Sequence, residues 1–318
     1  MDVKQKLLVI IGPTAVGKTK LSIELAKRFN GEIISGDSMQ IYKGMDIGTA
    51  KIKPEEMEGV PHYLIDIKDP SDRFSVAEFQ ELVRAKISDI GKRGKLPIIV
   101  GGTGLYIQSV LYDYQFSEAP GDDVFRRELE QKARQKGNEV LHKELAKVDP
   151  DSARLLHPNN LRRLIRSLEI YHCTGKTMSE WQKDQKHDLL YHTAIVGLTM
   201  DREKLYERIN TRVDIMMKEG LLEEVRKFYE EGLRDCQSIQ AIGYKEFYDY
   251  FDGKVSLETA IENLKQNSRR YAKRQFTWFR NKMSVEWFDM TDTNPFSKKI
   301  MAISRYVEGK LGIKSNTY

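Results

Sequence analysis

Gly12, Pro13, Thr14, Ala15, Val16, Gly17, Lys18 and Thr19 form a run in which one glycine precedes, by four residues, a Gly-Lys-Thr triplet. Glycines let the backbone curl so that successive amides point at one anion, and a helix that follows adds its dipole. In that pattern Lys18 would reach the terminal phosphates and the Thr19 hydroxyl would ligate magnesium. The run predicts a bound di- or triphosphate with Mg2+ as its companion. A chance glycine-rich turn is the competing reading, but the apolar run 7–11 before it and the amphipathic pattern 20–29 after it supply the strand and helix the motif needs. What becomes of the phosphates stays open, because phosphoryl transfer, nucleotide hydrolysis and departure of pyrophosphate need the same cradle.

A second polar cluster, Ser35-Gly36-Asp37-Ser38-Met39-Gln40-Ile41-Tyr42, follows the apolar pair Ile33-Ile34. Asp37 would either cap the next turn or face the crevice of Lys18 as a base or metal-orienting acid. Its place at the end of a strand favours the second. A third cluster, Gly101-Gly102-Thr103-Gly104, stands where a nucleotide hydrolase would end a strand with a magnesium-binding aspartate. Glycines around one hydroxyl suit close approach to a flat ligand, with Thr103 as donor or acceptor; a plain tight turn is the alternative. The missing acid weakens the hydrolase reading, and Asp66, which could supply it, keeps that reading from being excluded.

Cations gather in two places. Arg162, Arg163 and Arg166 lie within five positions, with Arg162 and Arg166 on one helical face and Leu161, Leu164, Ile165 and Leu168 on the other. Residues 263–284 carry Lys265, Arg269, Arg270, Lys273, Arg274, Arg280 and Lys282 and no acid, with Tyr271, Phe276, Trp278 and Phe279 interleaved. A like-charge run is commonly only a solvated face. Cations of one sign among aromatics that could stack on bases are also the footprint of a nucleic-acid binder.

The elements that must position these groups follow from periodicity. Buried strands are predicted at 7–11, 32–35, 62–67, 96–100 and 192–198, with helices at 20–29 and 76–93 between them. That alternation implies an α/β fold with a mostly parallel sheet flanked by helices. Residues from Asp122 to about Gln185 break it and read as helices at 122–136, 138–147, 151–156 and 159–174, opened by Pro120-Gly121. The expected organisation is a core of 1–119 and 190–318 with an inserted all-helical subdomain, 120–189. After residue 198 the chain returns to helix at 202–219, 221–231 and 256–281, and Thr317-Tyr318 closes a polar tail.

Composition sets the outer bounds. The chain has 318 residues, 40% hydrophobic and 31% charged, with a net charge of +5. Those values describe an ordinary folded protein and exclude general disorder. Cys173 and Cys236 lie far apart, so neither a disulfide framework nor a zinc site is implied. Lys4 and Lys6 precede an apolar stretch too short for a signal core, and no run reaches membrane-spanning length. The expected location is cytoplasmic.

The motifs, in this order, resemble the bacterial tRNA dimethylallyltransferase (tRNA isopentenyltransferase) family over nearly the whole chain. The resemblance rests on the phosphate loop, on 35–42, on Val100-Gly101-Gly102-Thr103-Gly104-Leu105-Tyr106, on 160–169, on Ala241-Ile242-Gly243-Tyr244-Lys245-Glu246 and on Arg274-Gln275-Phe276-Thr277-Trp278-Phe279-Arg280. It implies a P-loop-type core and transfer of a dimethylallyl group from its diphosphate to N6 of adenosine 37, in tRNAs reading codons that begin with U. By position it makes Asp37 the base at that amine, Thr103 a contact to the adenine or its backbone, and Arg212 a partner of the pyrophosphate beside Lys18. It makes Asp37, Ser38, Met39, Gln40, Thr103, Arg126, Asn159, Asn160, Leu161, Arg162, Arg163, Gln240, Ala241, Ile242, Gly243, Tyr244 and Lys245 tRNA contacts. The partners implied are tRNA and dimethylallyl diphosphate, on a monomer. The eukaryotic members' zinc finger has no matching cysteine set.

Three other activities share parts of this pattern. A prenyl transferase acting on free adenine nucleotides would use the phosphate loop and Asp37 but not the arginine helix or 263–284. A nucleotide-type kinase would consume ATP and also carry arginines on a lid. An RNA-binding switch would use nucleotide only to change shape.

Overall fold

Each apolar run that the phosphate loop and its neighbours follow becomes a strand buried on both faces. In the computed structural model, which describes residues 4–114, 116, 121–183, 188–292 and 295–316, the chain forms two compact units. The first comprises residues 1–111 and 189–318, the second 112–188. The expected opening of the insertion at Pro120, its end near Gln185 and the tail residues Thr317 and Tyr318 lie outside the described residues.

The first unit runs β1 (Lys6–Ile11), α1 (Lys18–Arg28), β2 (Gly31–Gly36), β3 (His62–Tyr63), α2 (Val76–Lys92), β4 (Leu96–Gly101) and α3 (Gly104–Leu111). Among the described residues its strands, with β5 (His192–Thr199) and β6 (Glu286–Asp289) from later in the chain, form one six-stranded sheet, order β3-β2-β4-β1-β5-β6, with every pairing parallel. Register sets Gly101 opposite both Ile11 and Gly36. The carboxyl ends of β1, β2 and β4 therefore lie side by side, and each runs straight into one of the three polar clusters. Leu8, Ile10, Leu21, Leu25, Ile98 and Val196 form the core on one face.

Among the described residues the named elements of the second unit are helices: α4 (Asp123–Lys136), α5 (Asn138–Val148), α6 (Pro150–Leu155), α7 (Leu161–Thr174) and α8 (Met178–Lys183). Leu129, Leu141, Leu145, Leu164, Ile165 and Leu168 form its own core. Asp122 caps α4 by accepting from the Val124 and Phe125 amides. The chain then returns to the first unit as β5 (His192–Thr199), α9 (Arg202–Lys218), α10 (Leu221–Glu230), α11 (Lys245–Phe251), α12 (Leu257–Lys282), β6 (Glu286–Asp289) and α13 (Phe296–Leu311). Among the described residues, no helix is long and apolar enough to cross a membrane.

The third strand departs from the sequence expectation of 62–67. β3 stops at Tyr63 because Leu64 and Asp66 adopt positive φ, 61° and 55°, which no pleated strand accommodates. The Ile67 and Lys68 amides donate to the Ile41 carbonyl instead, at 2.8 and 2.9 Å. β6, absent from the sequence expectation, is a four-residue edge strand that pairs with β5, its Trp287 and Phe288 rings packing on Phe276 and Tyr306.

Candidate active site

The phosphate loop leaves β1 and enters α1 through Gly17, whose φ of 105° is open to glycine at no steric penalty. The first turn of α1 has no acidic side chain and no side-chain cap, so its amides are left to an anion. Lys18 Nζ donates to the Gly12 and Pro13 carbonyls at 3.0 and 2.8 Å. Burial pulls its pKa down to about 8; Asp37 opposes that fall and Arg212 adds to it.

Asp37 stands where β2 ends, in the same cavity. Burial raises its carboxyl above the usual aspartate range, against the Met39 amide, Lys18 and Arg212, which favour the charged form. Asp37 Oδ1 accepts from the Met39 amide at 2.8 Å. Ser35 Oγ donates to Gln40 Oε1 at 3.0 Å, and Gln40 Nε2 donates to the Thr49 and Ala50 carbonyls, so the turn is braced from behind. Thr103 Oγ1 accepts from the Ser38 amide at 3.3 Å. Two clusters 65 residues apart in sequence thus meet through one hydroxyl.

A cavity of about 270 Å³ is lined by Thr14, Lys18, Thr19, Asp37, Gln40, Gly102, Arg208, Arg212, Tyr271 and Gln275. A second, of about 320 Å³, shares Thr14, Asp37, Arg212 and Tyr271 and adds an apolar wall of Ile209, Val213, Met216, Ile242 and Leu264. Ser38, Met39, Gln240, Ala241 and Lys245 also line it. One end of the combined space is cationic, the other is greasy, and a carboxylate lies where they join. Arg208 and Arg212 are one helical turn apart on α9 and face it together. The Tyr271 phenol is pushed up to about 12 by burial and the nearby Asp37 charge.

Several expected site residues have other surroundings. Tyr244 is fully buried, and its hydroxyl donates to Glu224 Oε1 at 2.5 Å. The same carboxylate accepts from the Asp46, Ile47 and Gly48 amides at 2.8–3.0 Å, so Tyr244 and Glu224 hold a loop that walls the cavity. Gly243 is buried as well, its amide donating to Glu246 Oε2. The Tyr244 ring, expected among the tRNA contacts, thus has no part open to solvent and braces that loop through Glu224. Asp66, the spare acid of the hydrolase reading, pairs with Lys51 and does not line either cavity.

Within the helical unit, Arg126 Nε lies 2.6 Å from Glu169 Oε1, and Arg166 Nη1 donates to Glu169 Oε2 at 2.7 Å. Glu169 is fully buried. Burial alone would raise its carboxyl, yet both arginines and the Asp122 amide hold it below the ordinary range. Arg162 and Arg163 at the start of α7, and Asn159 before it, are exposed, whereas Asn160 and Leu161 are half-buried.

Residues 40–282 match the IPP transferase family. The chain belongs to the IPP transferase family. It is 67% identical to a tRNA dimethylallyltransferase of Geobacillus thermodenitrificans over 98% of this chain and 99% of that one. It is similar to the crystal structure of a tRNA isopentenylpyrophosphate transferase from Bacillus halodurans, with a TM-score of 0.74, 57% identity and 97% of each chain covered. It is also similar to a eukaryotic dimethylallyltransferase acting on tRNA, at a TM-score of 0.84, 35% identity and coverage of 98% of this chain and 81% of that one. The resemblance drawn from the motifs is thereby established for the IPP transferase fold as well as for the family.

Gln275 and Arg208 were missed by sequence reasoning. Arg208 repeats Arg212 at i−4 on α9 and was legible from that spacing. Gln275 falls within the 274–280 motif, but its place in a basic stretch gave it no role of its own.

Proposed function

We propose that this chain transfers the dimethylallyl group of dimethylallyl diphosphate to N6 of adenosine 37 in tRNAs that read codons beginning with U, releasing pyrophosphate. The observation that carries the reading is Asp37 in a cavity whose other walls are Lys18, Arg212 and the loop amides. As the allylic C–O bond breaks, negative charge grows on the departing diphosphate. Lys18, Arg208, Arg212 and the loop amides stabilise that charge. The N6 lone pair forms the new bond to the allylic carbon. N6 is a poor nucleophile because its lone pair is delocalised into the ring, and removal of its proton by Asp37 as the bond forms raises its reactivity. Asp37, kept partly desolvated and held by the Met39 amide, has a raised carboxyl that suits a base of this kind.

The apolar wall of Ile209, Val213, Met216, Ile242 and Leu264 suits the five-carbon chain and keeps water from the reacting carbon. Thr103, fixed against Ser38, orients the adenine or its backbone. Thr19, exposed at the start of α1, offers a hard oxygen donor of the kind magnesium prefers. Among the described residues no group of three His, Cys, Asp or Glu side chains could hold a metal, so Thr19 and the diphosphate oxygens would be its partners. When bound, Mg2+ neutralises charge on the leaving diphosphate. Exposed Asn159, Arg162 and Arg163 of the insertion, together with Lys245, are the tRNA contacts in this reading, and the enzyme acts as a cytoplasmic monomer.

The test supplies purified protein with magnesium, dimethylallyl diphosphate and unmodified tRNA, followed by digestion and mass analysis of the nucleosides. Prenylated adenosine is the expected product. Free AMP as the preferred acceptor, or consumption of ATP with a phosphorylated product, would replace this reading with one of its rivals.

A further inference from the structure

Gln275 lies on α12, 5% exposed, between two loops that the sequence keeps far apart. Its Oε1 accepts from the Thr14 amide at 2.9 Å, and its Nε2 donates to the Gly102 carbonyl at 3.0 Å. An N–H needs an acceptor and a carbonyl needs a donor, so the two backbone partners fix which way the amide faces. Neither a carboxylate, which has no hydrogen to give, nor an ammonium, which has no lone pair, meets both. The approach also depends on glycine at 102, where a Cβ would fall 2.1 Å from Gln275 Nε2.

We infer that Gln275 is a positioning residue for prenyl transfer, its amide setting the distance between the diphosphate cradle and the groups that present the adenine. The inference rests on the proposed activity. Thr14 belongs to the loop that holds the leaving group. Gly102 precedes Thr103, whose hydroxyl accepts from the Ser38 amide, next to Asp37. The electrophile and the nucleophile are thus held on two separate backbone segments, and Gln275 is the side chain that hydrogen-bonds to both. A displacement reaction needs its reacting atoms close to contact and in line, so a small drift between the two loops lowers the rate without removing either binding surface.

Three variants separate this role from a merely structural one. Gln275→Met keeps the length and loses both bonds, Gln275→Glu keeps the acceptor alone, and Gly102→Ala pushes the amide aside. Each is compared with the parent protein by single-turnover rate at saturating dimethylallyl diphosphate and tRNA, and by dissociation constants for inorganic pyrophosphate and for tRNA. Gln275→Met and Gly102→Ala should lose roughly a hundredfold in rate while both dissociation constants stay within about threefold. Gln275→Glu, whose added negative charge faces the Gly102 carbonyl and the diphosphate cavity, should lose at least as much rate and weaken pyrophosphate binding as well. A single-turnover rate unchanged in Gln275→Met overturns the inference. So does a parallel loss of rate and of both affinities, which would mean general disruption of the unit. Should Gln275→Met fail to fold, Gly102→Ala is judged by the same two criteria. A parent protein that binds pyrophosphate yet never prenylates tRNA would instead overturn the proposed function.

Discussion

Asp37 and Lys18 share one cavity but titrate in opposite directions from their ordinary values, and both shifts begin with burial. For Asp37 the raised carboxyl means that the base form is lost, as pH falls, earlier than for an exposed aspartate. The acid limb of the single-turnover rate should therefore lie above the usual carboxylate range. Asp37→Asn retains an acceptor for the Met39 amide and removes the base, so the rate should fall by about 10²–10⁴-fold. Its tRNA dissociation constant should remain close to that of the parent, and an equal loss in binding would contradict the assignment. Lys18 gives a second pH signature. With the free ammonium titrating near 8, a bound diphosphate holds the proton on, and binding above that pH takes one up. Pyrophosphate affinity should weaken by up to roughly tenfold per pH unit beyond 8, relative to a Lys18→Met variant that lacks the titrating group. Calorimetry at pH 7 and pH 9 measures both.

At the scale of elements, α12 shows why a run of like charge has to be read by face. Ala260, Leu264, Ala272, Gln275 and Phe279 are buried on one side, whereas Arg270, Lys273, Arg280 and Lys282 are exposed on the other. Two of the seven cations hydrogen-bond or ion-pair with other side chains: Lys265 pairs with Asp214 at 2.6 Å, and Arg269 donates to Asn210 and Glu262, while Arg274 and Arg280 lie over the Tyr271 and Phe276 rings. Replacing Arg270 and Lys273 by glutamine should weaken tRNA binding and reduce its salt slope by about one for each phosphate no longer neutralised. Arg269→Gln should lower thermal stability and leave that slope nearly unchanged. The partners of Lys265 and Arg269 lie on α9 and one or two turns away on α12, which is why a one-dimensional charge count overstated the stretch. By contrast, β1, the phosphate loop and α1 were legible because their whole signal is contiguous. The strands of β2, β4 and β5 followed from apolar runs long enough to be distinctive. The end of β3 turned on positive φ at Leu64 and Asp66, and β6 on pairing with β5, neither of which leaves a mark in local composition. Asp37 and Thr103 could be singled out by type and position, but their meeting through the Ser38 amide depends on β2 and β4 ending side by side.

For the molecule as a whole, the residues lining both cavities belong to the first unit, while Asn159, Arg162 and Arg163 belong to the second. Each unit has its own core, so a surface change on one leaves the packing of the other intact. Diphosphate capture and RNA capture should therefore be separable by mutation. Arg162 and Arg163 are exposed, so reversing both to glutamate disturbs no buried packing. Arg126 and Arg166 are different, because they neutralise the buried Glu169 and their loss would strand its charge. Arg162→Glu with Arg163→Glu should raise the KM for tRNA by at least about tenfold at moderate salt, with the loss shrinking as salt screens the repulsion. The pyrophosphate dissociation constant should match that of the parent protein. The rate at saturating tRNA should also be nearly preserved, since the groups that touch the reacting atoms are untouched. A double variant that binds pyrophosphate more weakly would mean that the helical insertion contributes to the diphosphate cradle, and unchanged tRNA kinetics would remove α7 from the recognition surface.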